Sequence, residues 1–186
     1  NEVCGESYDS GSKLVTITDL KKAACLPWSR ELDEAKKHID GYNYRVCSVD
    51  WGGGGVSKGK SDMAYQSYTS IAVMGYSSDG KMDVIYGYRS LHPHAHVREA
   101  KIILGIMSHF KCSHLVHDYT GAGTVRETVM SQAGLPQQNI IPVAYVGTAR
   151  GNVLNFKPST DLHPRDHYTM DKARSLNYTC QFIKSG

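Results

Sequence analysis

The sequence predicts an α/β fold, a mixed five-stranded sheet flanked by helices. A short apolar strand runs into four glycines within residues 44–55, a β-hairpin pattern covers residues 68–88, and helix and strand patterns alternate from residue 94 onward. Hairpin strands pair antiparallel, whereas strands joined by helices pair parallel, so we expect both kinds of pair in the sheet. With 186 residues, 40% of them hydrophobic, the chain is long enough to bury a core.

Residues 1–43 read as a lead-in or linker segment, and residues 44–186 as the domain proper. Within the lead-in, LVTIT predicts a strand, and Thr18 ahead of DLKKAA predicts an N-capped short helix. The stretch ELDEAKKHI predicts a second helical piece before the domain begins.

The domain opens with a strand inside YRVCSVDWGGGG, whose apolar positions suit burial on both faces. The later elements are predicted from periodicity and turn residues, namely hairpin strands at 68–76 and 82–88, a helix at 94–110, a strand at 113–118, a helix at 124–133, a strand at 139–146 and a last helix at 168–183. Residues 147–167 are polar and mildly basic, and we expect them to form an irregular loop.

Two of the predicted strands end in an aspartate and open into a glycine-containing loop. Asp50 precedes WGGGG, and Asp118 precedes YTGAG. If these strands are parallel neighbours, about 4.8 Å apart, both carboxylates face one small volume. Like charges that close need a cation between them, and carboxylate oxygens with water suit Mg²⁺ or Mn²⁺. Two such ions about 3.5–4 Å apart would clamp the attacking and leaving oxygens of a phosphodiester displacement.

Basic side chains near these acids are candidates for holding a nucleic-acid backbone. Lys58 and Lys60 follow the glycine run, Arg126 lies on the helix after Asp118, and Arg150 lies in the basic loop. The net charge of +3 permits a polyanionic partner without requiring one. For Arg126 and the loop at 147–167, an ordinary solvated surface is at least as good an interpretation.

The stretches VDWGGGG, SYTSIAV with its hairpin, and LVHDYTGAG resemble the nuclease domain of viral DNA-packaging terminases, the large subunit of tailed phages and herpesviruses. The resemblance covers residues 44–186 by order of elements and is specific at the two acidic junctions. It implies a ribonuclease H-like fold and an endonuclease that cuts concatemeric viral double-stranded DNA with two metal ions held by three acids. Asp50 matches the first acid, which bridges both ions, and Asp118 matches the second.

The resemblance also implies partners and a location. An upstream terminase ATPase domain, a small terminase subunit and a portal protein would act with this domain inside the host cell, in the cytoplasm for a phage and in the nucleus for a herpesvirus. No apolar run of membrane-spanning length and no signal-peptide pattern occurs in the sequence, which predicts a chain that is neither secreted nor membrane-bound. Five cysteines without a CxxC pair favour a reducing compartment, with Cys47 and Cys112 as core residues.

The third acid of the family is not assigned to any residue. The family places it on the final helix, and the chain ends at Gly186, so the resemblance implies a domain cut short at its C-terminal end. Among the late aspartates (Asp161, Asp166 and Asp171), Asp171 falls in the first turn of the last predicted helix, where a capping role is expected. Glu99 is an alternative, as in cellular ribonucleases H, although a solvated helix position is the commoner role.

Three other interpretations compete with the nuclease. Residues 54–61, GGVSKGKS, fit the phosphate-loop pattern GxxxxGK[ST] of an ATPase, but that loop must enter a helix, whereas SYTSIAV has strand propensity with only partial helical spacing. Asp-Trp-Gly-Gly resembles the phosphate loop of actin-like sugar kinases, which need two halves and a longer chain. A non-catalytic module that docks on DNA or on the portal is the third. The histidines at 92, 94, 96, 114 and 117 match no zinc spacing and receive no role.

Overall fold

The computed structural model describes residues 14–27, 31–52, 68–90, 95–121, 123–147, 151–161 and 163–185. It is an α/β fold in which a mixed sheet of seven strands is flanked by helices. The strands are β1 (Tyr42–Asp50), β2 (Ser70–Ser77), β3 (Met82–Arg89), β4 (His114–Asp118), β5 (Ile140–Val146), β6 (Leu154–Lys157) and β7 (His167–Asp171). The α-helices are α1 (Ile17–Ala23), α2 (Leu32–Lys36), α3 (His96–His109), α4 (Gly123–Gln132) and α5 (Lys172–Ser185).

The strands lie in the order β3-β2-β1-β4-β5-β7-β6 across the sheet. β1 pairs antiparallel with β2, and β2 with β3, which confirms the predicted hairpin and its pairing with the first strand. β1 pairs parallel with β4, and β4 with β5, as the alternation of strand and helix patterns predicts. The carboxyl ends of β1, β4 and β5 therefore meet at one edge of the sheet.

The hydrophobic core lies between one face of the sheet and the buried sides of α3 and α4. Its strand side chains include Cys47, Val49, Ile71, Val73 and Leu115, and its helix side chains include Ile103, Met107, Phe110 and Met130. Cys47 is a core residue as predicted, and Cys112 packs against the same cluster. The apolar side chains of α3 that are buried are Ala100, Ile103, Ile106 and Met107, whereas Val97 is exposed.

The sheet contains two strands more than the five predicted, because β6 and β7 form where a loop and the start of a helix were expected. β6 lies at the edge of the sheet and exposes Leu154 and Phe156. An edge strand held by backbone pairing needs no buried face, so its sequence lacks the alternation from which strands are predicted. Because β7 extends to Asp171, the last helix begins at Lys172 and not near residue 168.

The chain divides into two compact units. The larger unit, Trp28–Tyr145 with Phe156–Thr169, contains the core and α2 to α4. The smaller unit, Asn1–Pro27 with Val146–Asn155 and Met170–Gly186, contains α1 and α5, which pack against each other. No helix within the described ranges is long and apolar enough to cross a membrane.

The start of α1 differs from the prediction. Thr16, rather than Thr18, caps this helix, because the Thr16 hydroxyl accepts the backbone N–H of Asp19 at 3.2 Å and the Asp19 carboxylate accepts the N–H of Thr16 at 2.9 Å. This reciprocal capping box begins the helix at Ile17, so the strand predicted over LVTIT does not form.

Candidate active site at the ends of two parallel strands

Asp50 and Asp118 end the neighbouring parallel strands β1 and β4. The register pairs Val49 with His117, so the next position along each strand is one of the two aspartates. Because side chains alternate along a strand, both carboxylates point to the face opposite the buried Val49 and His117. Asp50 is exposed and Asp118 is half-buried, which leaves both accessible to a large substrate.

Tyr145 on β5 is influenced by the charges of both acids. β5 pairs Val143 with Asp118, and Tyr145 follows two residues later on the same face of the sheet. Burial raises the pKa of the Tyr145 hydroxyl, and the negative charges of Asp118 and Asp50 raise it further. Both carboxylates therefore act electrostatically on one hydroxyl group.

The loop after β4 fixes the orientation of Asp118. The backbone N–H and the hydroxyl of Thr120 donate to Oδ1 of Asp118 at 2.8 and 2.6 Å. Gly123, the first residue of α4, packs directly on the carbonyl oxygen of Asp118, and a Cβ at this position would overlap that oxygen. The glycines of YTGAG thus allow α4 to begin against the strand end that carries the acid.

On the core face of the sheet, the residues next to the two acids contact each other. The indole Nε1 of Trp51 donates to Nδ1 of the buried His117 at 3.1 Å. Nδ1 also lies 3.0 Å from the carbonyl oxygen of Asp118, an acceptor. When Nδ1 accepts from Trp51, the ring proton is on Nε2, which lies 3.3 Å from Oε2 of Glu127. The other carboxylate oxygen of Glu127 lies 2.6 Å from Nε of Arg165, which extends the buried polar network to the loop before β7.

A buried ion pair between the helices reaches the backbone just after Asp50. Glu99 on α3 and Arg126 on α4 are 1% and 3% exposed and form a salt bridge. Nη2 of Arg126 donates to the carbonyl oxygen of Gly52 at 2.7 Å, and its guanidinium lies 4.9 Å from the centre of the Trp51 ring. The N–H of Gly52 donates to Oγ1 of Thr69 at 3.0 Å, so both backbone groups of Gly52 are held.

This burial corrects two expectations from the sequence. Arg126 does not face solvent, and its guanidinium binds Glu99 and the protein backbone, so in this structure it is not placed to contact DNA phosphates. Glu99 is not solvated either, because a buried arginine needs a buried counter-charge. Lys58, Lys60 and Arg150 lie outside the described residues, and their contact with nucleic acid stays a prediction.

The donor groups of the site suit a hard cation but do not complete a two-ion centre. Asp50 and Asp118 supply carboxylate oxygens, the ligands that Mg²⁺ and Mn²⁺ prefer. Across the ranges that the structure describes, no three His, Cys, Asp or Glu side chains are grouped to hold a metal ion. Two carboxylates with water could hold one such ion, and further ligands would have to come from elsewhere.

The late aspartates have local structural contacts. Asp171 is the last residue of β7, and its Oδ1 accepts the backbone N–H of Arg174 at 2.9 Å, which confirms the expected capping of the last helix. Oδ1 of Asp166 accepts the N–H of Ser159 at 2.7 Å within its loop. These bonds assign neither residue to the third acidic position.

The phosphate-loop pattern at residues 54–61 lies outside the described residues. The stretch that follows it is described from residue 68, and there Ile71 and Ala72 belong to strand β2, so the helical spacing noted in the sequence is not used in that part of the chain. A helix spanning these positions, which the ATPase interpretation favours, does not form.

Comparison of the chain with protein-family models, curated proteins and solved structures finds no match. The interpretation of the site therefore depends on its own geometry. Sequence analysis missed the roles of Trp51, Thr69 and Glu127, and the only signal available was that Trp51 and His117 each adjoin an acid.

Proposed function

We propose that this chain is the nuclease domain of a viral DNA-packaging terminase, a metal-dependent endonuclease that cuts concatemeric double-stranded DNA. The observation that carries the proposal is the parallel register of β1 and β4, in which Val49 opposite His117 brings Asp50 and Asp118 to equivalent positions on one face. Two aspartates at the carboxyl edge of a sheet are a common starting point for a divalent-cation site.

The order of strands supports the ribonuclease H-like assignment. Three antiparallel strands (β3, β2 and β1) are followed by β4 and β5, both parallel to β1, in the order β3-β2-β1-β4-β5. This is the arrangement that the resemblance to terminase nucleases implies. β6 and β7 extend the same sheet beyond β5.

The acids would hold Mg²⁺ or Mn²⁺ through carboxylate oxygens, and a cation bound there would polarise the phosphodiester and lower the pKa of an attacking water. Thr120 donates both of its bonds to Oδ1 of Asp118, so Oδ2 is the oxygen that Asp118 would offer. The Tyr145 hydroxyl has a raised pKa and stays protonated at neutral pH, so it can donate a hydrogen bond to a phosphate oxygen. A third acid and the second ion's remaining ligands would come from outside the described residues.

The partners follow from the same proposal. Double-stranded DNA would be the substrate, and the upstream ATPase domain, the small terminase subunit and the portal would deliver it to the site. The exposed side chain of Asp50 suits a bulky duplex better than a small molecule.

The test is nicking of supercoiled plasmid in Mn²⁺ or Mg²⁺ by the wild-type chain and by Asp50→Asn and Asp118→Asn. Asparagine keeps the shape of the side chain and removes the charge, so we expect metal-dependent nicking to disappear in both variants. Asp33→Asn is the matched control, because the Asp33 side chain on α2 is 94% exposed. Its carboxylate lies 3.8 Å from Nε2 of His109, at the C-terminal end of α3.

Each outcome separates the interpretations. Nicking that survives both asparagine substitutions would exclude the two-aspartate site. DNA binding without cleavage in any metal would favour the docking module, and ATP hydrolysis that depends on Lys60 would favour the phosphate loop.

A further inference from the structure

We propose that Arg126, held by Glu99, is a positioning residue of the site: it fixes the peptide of Gly52 and the ring of Trp51 and thereby sets the direction of the Asp50 carboxylate. For metal affinity this role rests on the proposed function. For the backbone of Gly52 it is independent of that function.

The contacts of Arg126 converge on the residues that follow Asp50. Its Nη2 donates to the Gly52 carbonyl at 2.7 Å while Thr69 accepts the Gly52 N–H at 3.0 Å, so Gly52 is held from both sides. The Trp51 side chain lies between the Arg126 guanidinium, 4.9 Å from the ring centre, and the His117 imidazole, at 3.1 Å from Nε1 to Nδ1. β1 therefore cannot change direction after Asp50 without breaking contacts to α4 and to β4.

The chemistry of the pair indicates a positioning role. A buried ion pair contributes little to stability compared with apolar side chains of similar volume, because the desolvation of two charges offsets their attraction. Glu99 and Arg126 are among the most deeply buried charged residues that the structure describes. They lie on α3 and α4, the helices that contribute buried side chains to the core. A planar guanidinium can bind a carboxylate, a carbonyl oxygen and an aromatic face together, which no apolar residue could do.

The test compares Arg126→Met, the double variant Glu99→Met with Arg126→Met, and Arg45→Met as the matched control. Arg45 is half-buried, and like Arg126 it donates to main-chain carbonyls, those of Phe110 at 2.9 Å and Ile39 at 3.0 Å, but it lies near the opposite end of β1. The double variant removes both charges, so it should recover most of the thermal stability that Arg126→Met loses by leaving Glu99 buried alone.

Two readouts report on position rather than on stability. The first is hydrogen exchange of the Gly52 amide by NMR. The second is Tb³⁺ affinity, measured by the luminescence that Trp51 sensitises. Trp28, the other tryptophan of the chain, is replaced by Phe in every protein so that Trp51 is the one tryptophan left. Loss of the residues that orient a metal ligand typically weakens affinity about 10- to 100-fold.

We expect both Arg126 variants to lose protection of the Gly52 amide and to bind Tb³⁺ about 10- to 100-fold more weakly, the stabilised double variant included. Arg45→Met should lower the melting temperature and leave both readouts unchanged. A double variant that keeps wild-type Gly52 protection overturns the positioning role. A wild-type chain that binds no Tb³⁺ and nicks no DNA overturns the proposed function, whereas loss of Gly52 protection in that case still supports the role of Arg126.

Discussion

Trp51 donates a hydrogen bond of 3.1 Å from its indole Nε1 to Nδ1 of His117, and each of these residues adjoins one of the two aspartates. The backbone register between β1 and β4 extends to Val49 and His117. The side-chain bond continues the connection between the two strands past that point. It therefore ties the strand ends together at the place where the carboxylates leave the sheet.

Replacing Trp51 by Phe keeps an aromatic ring and removes the indole N–H. Phe cannot make the bond to Nδ1 of His117, and we expect a loss of about 1 kcal/mol in the free energy of unfolding, measured by urea denaturation. Under the proposed nuclease function, nicking in Mn²⁺ should also slow, because the side-chain bond between the two strand ends is lost.

Tyr42→Phe is the control for this variant. It removes the hydrogen bond from the Tyr42 hydroxyl to Asp83, 2.8 Å long, at the start of β1. A similar loss of stability with unchanged nicking is expected. Equal loss of activity in both variants would mean that stability alone explains the effect.

Gly123→Ala should displace Asp118. A Cβ at position 123 overlaps the carbonyl oxygen of Asp118, which is backbone and cannot move aside cheaply. Overpacking of this kind costs about 1–3 kcal/mol, and we expect a lower melting temperature together with weaker metal-dependent nicking.

Gly105→Ala is the matched substitution, because Gly105 also lies in a helix, α3, and a Cβ there meets nothing within 4 Å. Alanine has the higher helix propensity, so this variant should gain up to about 1 kcal/mol and keep its activity. Full activity in Gly123→Ala would show that the Asp118 backbone is not constrained by α4.

The Tyr145 hydroxyl provides a test of the acid pair that needs no substrate. Its pKa is raised by burial and by the charges of Asp118 and Asp50. Neutralising one carboxylate removes part of that repulsion of the tyrosinate, so the pKa of Tyr145 should fall in Asp118→Asn. The measurement is the difference in tyrosinate absorbance on titration between each protein and its Tyr145→Phe derivative. An unchanged pKa of Tyr145 would show that the charge of Asp118 does not act on the Tyr145 hydroxyl.

The stability of the fold should decline in alkali because of one buried thiol, Cys47, and one half-buried thiol, Cys112. Burial raises the pKa of Cys112 from 9.0 to about 11 and raises the pKa of Cys47 further. Because the folded-state values are raised, the contribution is fully present below pH 9, where thiols of the unfolded chain are still protonated. Above that pH the unfolded chain releases its protons first, so stability falls as pH rises through the folded value of Cys112.

Urea denaturation between pH 7 and pH 11 measures this decline, with a slope of at most about 1.4 kcal/mol per pH unit for each thiol. Cys112→Ala should reduce the slope above pH 9, and Cys25→Ala should not, because Cys25 is exposed. Identical slopes in the two variants would contradict the assignment.

Sequence patterns were sufficient for the elements that bury one face. The hairpin of β2 and β3, the helix α3 and the strand β4 all appear within a few residues of their predicted bounds, because apolar periodicity reflects burial against a core. β6 and the start of α5 were predicted wrongly, since an exposed edge strand carries no such period and the chain from His167 to Asp171 pairs as a strand before the helix begins.

The sequence by itself determined the α/β class and the position of Asp50 and Asp118 at two strand ends, because local patterns reveal where a strand stops and a glycine loop starts. Only the tertiary structure decided which buried side chains hold the backbone next to Asp50. The contacts of Glu99, Arg126 and Gly52 join residues 27 and 74 positions apart in the chain, and no local spacing encodes such pairs. The residue type does not tell whether an arginine is buried or exposed. Tertiary packing decides whether its guanidinium binds the backbone or faces solvent.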